Sequence, residues 1–136
     1  MNQFSKISIK AILIGLVVDI VGTLVVGMTL GFILGIGLAT QSRSQTDFES
    51  LLNQAVLSPG FLILSLIVGL GFTFLGSFVA ARIANRLALT HSGIVGAIAF
   101  VLGSLYVPKE YPFWFIAASL VLTIPSALLG GIAARK

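Results

Sequence analysis

Four long apolar runs divide the chain, separated by short polar breaks. They cover about residues 11–39, 61–81, 87–107 and 113–134. The first contains one ionisable side chain, Asp19; the second and fourth contain none. Runs of about 20 apolar residues have the length and character of membrane-spanning helices. At about 1.5 Å per residue, the first run would make a helix about 43 Å long. The hydrocarbon core of a bilayer is about 30 Å thick, so this helix must tilt, bend at a glycine or project beyond the interface. The pattern predicts an all-α integral membrane protein with four transmembrane helices in a single domain spanning 1–136.

Residues 40–60 form the only sizeable polar segment. Within it Phe48, Leu51, Leu52, Ala55 and Val56 recur at helical spacing, which predicts a short amphipathic helix over about 46–57, lying on the membrane surface. Thr46 and Glu49 have the spacing of a capping box at its start, and Ser58, Pro59 and Gly60 are expected to end it. The polar start, with the apolar run behind it, looks like a signal peptide, and Gly37 and Ala39 have the spacing of a cleavage site. The run is far longer than the roughly 7–15 apolar residues of a signal sequence, so an uncleaved anchor is expected. Tyr106, Tyr111 and Trp114 lie in or beside the third break, where aromatic belt residues mark an interface.

Composition agrees with this pattern. Of the 136 residues, 57% are hydrophobic and 9% charged, where a soluble domain carries about a quarter. There is no cysteine, hence no disulfide or thiolate chemistry. The net charge of +4 is not a nucleic-acid footprint, because the basic residues stand singly or in pairs beside apolar runs. Lys6, Lys10, Arg82, Arg86, Arg135 and Lys136 fall on one side of the predicted topology, and Arg43 and Lys109 on the other. This bias places both termini in the cytoplasm, with the six basic residues as anchors among lipid headgroups. No cofactor or metal site is expected: the single histidine, His91, reads as an interfacial structural residue, and the acids are scattered. No nucleophile–base pair or phosphate loop is present, which argues against an enzyme.

Gly27, Gly31 and Gly35 fall four apart on one face of the first helix, a flat surface for close helix packing. Packing within the chain and a homodimer seam both fit this face. Gly76, Gly96, Gly130 and Gly131 are further packing candidates. Residues 72–82 and 125–135 align without gaps: Leu75, Ala80, Ala81 and Arg82 match Leu128, Ala133, Ala134 and Arg135 in type. Two fused parallel helix pairs would produce this match. So would the preference of any cytoplasmic helix end for small residues followed by arginine.

Asp19 lies nine positions after Lys10, roughly 13 Å along a helix and near the middle of a bilayer. A charged Asp there costs about 2.5–3.5 kcal/mol on insertion scales. It therefore needs a partner, a water-filled cavity or a proton. Thr73 and Ser126 lie at similar depth on other helices, and Thr23 lies one turn on along the same helix.

The stretch Leu75-Gly76-Ser77-Phe78-Val79-Ala80-Ala81-Arg82, with Gly130-Gly131 near the end of the chain, resembles small uncharacterised bacterial four-helix integral membrane proteins. Those carry Gly-Gly-aromatic-x-Ala-Ala-Arg at the end of helix two; here Ser77 replaces the second glycine. The resemblance implies a four-helix fold in the bacterial inner membrane and carries no activity. A second, local one is to small multidrug resistance transporters, whose first helix is similar to Val18-Asp19-Ile20-Val21-Gly22-Thr23. It implies that Asp19 is a coupling site for proton exchange, although that family has Glu at this position and lacks a segment like 40–60. Together these features predict a non-enzymatic structural, interaction or accessory-subunit role, in a homo-oligomer or larger membrane complex. The alternative is a small oligomeric proton-coupled transporter using Asp19.

Overall fold

The computed structural model describes residues 7–85, 87–106 and 108–135. The described residues form five helices and no strand: α1 (Ile9–Ala39), α2 (Gln45–Val56), α3 (Pro59–Ala84), α4 (Ala88–Leu105) and α5 (Phe113–Ala133). α1, α3, α4 and α5 are long and apolar enough to cross a membrane. The expected all-α bundle of four long helices and one short amphipathic helix is thus the architecture observed.

Local chemistry sets the helix boundaries. Ser8 caps α1, its hydroxyl accepting the Ala11 N–H. The cap of α2 is Ser44, not the expected Thr46. Its Oγ accepts the Asp47 N–H at 3.2 Å, and the Asp47 carboxylate in turn accepts the Arg43 N–H at 2.9 Å. Thr46 and Glu49 therefore make no capping box; the capping bonds form around Ser44 and Asp47, two residues earlier. The apolar face of α2, Phe48, Leu51, Leu52, Ala55 and Val56, is half-buried where α2 touches the ends of α1 and α3. Ser58 and Pro59 do more than end α2. Ser58 caps α3 and Pro59 occupies its first turn, so α3 begins two residues earlier than expected.

α3 is the central element, packed against α1, α4 and α5. α4 also packs on α5 and meets α1, whereas α1 does not approach α5. α1 and α3 run antiparallel; α3 and α5 run parallel, with Leu70 beside Ser126 and Phe74 beside Gly130. Burial is uneven along the bundle. Ala11, Ile12, Ala80, Ala81, Val95 and Ala127 are buried in the half formed by the starts of α1 and α4 and the ends of α3 and α5. We call this the basic end, because Lys10, Arg82 and Arg135 are exposed there. The anchor candidates Lys6, Arg86 and Lys136 lie outside the described residues. Toward the α2 end the helices diverge, and Leu62 is the main buried apolar side chain.

Small residues make the tight half possible. A Cβ on Gly15 would strike the Gly76 carbonyl and Ala80, and one on Gly76 would strike the Gly15 carbonyl and Asp19. Gly130 lies on the α3 backbone at Phe74 and Phe78, Gly131 on Ser92, and Gly96 on Ala127. Gly27, Gly31 and Gly35 do not belong to this set. Among the described residues, no atom of another helix lies within 4 Å of a Cβ built at any of them, so the expectation that this face packs within the chain is corrected. It lies on the far part of α1, which has left its neighbours behind. The close approach on α1 is instead at Gly15, and at Gly22 against the Phe72 ring.

Candidate functional site

The crossing of Gly15 over Gly76 fixes what happens one turn further along α1. With the two backbones in contact, Asp19 and Thr73 face each other across the α1–α3 interface. The Thr73 hydroxyl lies 3.2 Å from each Asp19 carboxylate oxygen and donates to them. Both residues are almost completely buried, at 6% and 7% exposure. Of the three expected partners of Asp19, Thr73 is the one the fold supplies. Ser126 is not: its hydroxyl donates to the Leu70 carbonyl at 2.7 Å and ties α5 to α3. Parallel packing of α3 and α5 puts Ser126 beside the α3 backbone instead of beside α1. The Thr23 hydroxyl is buried and has no hydrogen-bond partner among the described residues.

Asp19 and Thr73 are part of the wall of a cavity of about 450 Å³ between α1, α3, α4 and α5. Thr23, Ser65, Ser119 and Thr123 add hydroxyls to an otherwise apolar lining, and Tyr106 and Phe115 lie toward the α2 end. Two of these hydroxyls are already committed, Ser119 to the Phe115 carbonyl and Thr123 to the Ser119 carbonyl at 2.6 Å. Among the described residues Asp19 is the one acid in the lining, and no Lys, Arg or His joins it there. A carboxylate so placed is desolvated without a counter-charge from the wall, which is costly unless a proton or a cation arrives from the cavity. One carboxylate with neutral hydroxyls suits a monovalent charge. Divalent cations take several carboxylate or carbonyl ligands at once.

At the basic end, His91 is fully buried. Its Nε2 accepts the Ser8 backbone N–H at 2.9 Å, and its Nδ1 lies 3.0 Å from the Leu87 carbonyl. An acceptor Nε2 and a donor Nδ1–H define one neutral tautomer. Leu87 is held left-handed at φ 52°, as is Asn85 at φ 53°. Asn adopts that conformation readily and Leu does not, so the carbonyl that seats His91 is set by a strained residue. Here too, Arg82 lies over the Phe78 ring at 5.9 Å and lines a second cavity of about 690 Å³ with Arg135 and Asn85.

Gly15 and the buried role of His91 had no place among the expected site residues. The signal for Gly15 is its spacing: Gly15 and Asp19 are one turn apart on one face, and Thr73, Gly76 and Ala80 share a face on α3. His91, a lone imidazole at a helix start, has no comparable pattern. Comparison of the chain with protein-family models, with curated proteins and with solved structures finds no match.

Proposed function

We propose that the chain is an integral membrane protein without enzymatic activity that binds a monovalent cation, a proton or a small organic cation, at Asp19 and exchanges it across the bilayer. The observation that carries this reading is the position of Asp19: a buried carboxylate in the wall of a 450 Å³ cavity that provides hydroxyls and no basic side chain. A carboxylate that only joined two helices would need no cavity. The lining contains no second acid, amine or imidazole, so binding and release is the chemistry it supports. The four long apolar helices act as the spans, and the basic end faces the cytoplasm by the excess of Lys and Arg. On its resemblance to small bacterial four-helix proteins, the membrane is the bacterial inner membrane. Lipid covers the apolar exterior, and the unpacked Gly27–Gly31–Gly35 face is available to a second copy or a larger complex.

A structural or accessory role is the second reading. The Asp19–Thr73 bond favours it, because that bond joins α1 to α3 one turn from their glycine crossing. Reconstitution in liposomes separates the two, with an imposed pH gradient and either a pH-sensitive dye inside or a cationic dye outside. We expect flux with the native protein and none with a folded Asp19→Asn variant. Equal behaviour of the two proteins, with or without flux, would leave only the structural role.

A further inference from the structure

Three layers of contact close the bundle between Asp19 and the basic end. Nearest to Asp19 is the Gly15–Gly76 crossing. One turn beyond, Ile12 is enclosed with Ala80 and Val95, and Leu16, Ile94 and Ile98 pack around them. At the end stands the bond from the Ser8 N–H to His91 Nε2. On the other side of Asp19 the cavity continues toward Tyr106 and Phe115. Asp19 thus faces a cavity that extends toward the α2 end, and packed helices lie between it and the basic end.

The geometry points to a gate on the basic side of the Asp19 site, formed by the first two turns of α1 against α4 and latched by the Ser8–His91 bond. This rests on the reading of Asp19 as a cation site, since a site that exchanges an ion must open to each side in turn. The three layers differ in how they yield. The glycine crossing is backbone on backbone, with no side chain to rotate away. The Ile12 cluster is apolar and non-directional, so it separates and re-forms without a specific geometry. The latch is directional. Its acceptor is an imidazole at 0% exposure, oriented by a second bond to the Leu87 carbonyl. Its donor is the backbone N–H of the α1 cap, which lies outside the helix's own ladder. Parting α1 from α4 leaves the buried imidazole and the half-buried N–H without partners until water enters, which favours the closed state.

The native chain has no cysteine, so a single Thr23→Cys reporter in the cavity wall reads access directly. A membrane-impermeant thiol reagent is applied to each face of reconstituted vesicles. Arg135→Cys and Ser50→Cys, exposed at the two ends, report sidedness. We expect labelling of Thr23→Cys from the α2 side and slow labelling from the basic side. His91→Leu raises the basic-side rate about three- to tenfold, the population shift that follows from losing one net hydrogen bond. His91→Gln, whose amide oxygen can accept the Ser8 N–H, restores the native rate. Ser8→Pro removes that N–H without touching the imidazole, and Ser8→Ala removes only the capping hydroxyl. A faster basic-side rate in Ser8→Pro than in Ser8→Ala supports the latch even if His91→Leu fails to fold. Equal rates in that pair, no rise in a folded His91→Leu, or no labelling of the reporter from either side would overturn the gate. The labelling needs no ligand, so the two readings fail separately. Unchanged labelling with intact Asp19-dependent flux removes the gate, and absent flux with a working gate removes the cation.

Discussion

Among the described residues the Asp19 side chain has one hydrogen-bond partner, Thr73, and that contact sets what its substitutions do. Asn keeps a carbonyl acceptor of similar size but cannot exchange a proton. We expect Asp19→Asn to fold and to melt in detergent within about 1 kcal/mol of the native protein. Asp19→Leu removes the acceptor and leaves a buried Thr73 hydroxyl unpaired, at a cost of about 1–3 kcal/mol. Thr73→Val tests the same bond from the other side. In a double-mutant cycle with Asp19→Leu the two changes should couple by about 0.5–1.5 kcal/mol, the net value of one hydrogen bond. Additive losses, read from the same thermal unfolding, would mean that the two side chains do not act on each other. At this scale the sequence is informative about Asp19 and nearly silent about its surroundings. A lone acid in a long apolar run is conspicuous by its cost. That Thr73 and not Ser126 reaches it depends on which helices run side by side, and hydropathy does not encode that.

Among the helices, contact is decided by where backbones cross, and glycine spacing alone does not tell where. Gly27, Gly31 and Gly35 have the regular four-residue interval and meet no other helix among the described residues. Gly15 has no such series and lies against Gly76. The physical reason is that lipid and protein interior are equally apolar, so a helix face reads the same whichever covers it. The helices themselves, by contrast, were legible to within a few residues, because length and continuous hydrophobicity are properties of a segment by itself. The polar segment between the first two runs was legible as an amphipathic helix for the same reason, and its cap was misplaced because Ser44 and Thr46 both suit the role. Substitutions separate the two kinds of glycine. Gly76→Ala and Gly130→Ala force a methyl group against a facing backbone and should cost about 1–3 kcal/mol of detergent stability. Gly31→Ala, with nothing opposite it, should be neutral or stabilising by up to about 1 kcal/mol, as in any exposed helix interior. If Gly31→Leu nevertheless breaks an oligomer on a sizing column, the partner of that face is another copy.

For the molecule as a whole, charge and packing are polarised along the same axis. The basic end holds most of the buried contacts, and six of the eight Lys and Arg residues belong to it by sequence. Reporter fusions at the C-terminus should therefore read cytoplasmic, and fusions within α2 should read external; the reverse in most molecules would invert the topology. The same polarity gives α1 a mechanical property. The helix is 31 residues long, about 46 Å, but its close contacts with α3 lie in its first half, from Gly15 through Asp19 to Gly22. From the middle of that grip, at Asp19, to Ser8 is about 16 Å, and from it to Ala39 about 30 Å, at 1.5 Å per residue. As a rigid rod, α1 is a lever with arms of roughly one to two. A displacement of about 1 Å at the His91 end would swing the far end, and the start of α2 with it, by about 2 Å. A small movement at the basic end would thus be felt, enlarged, at the α2 end.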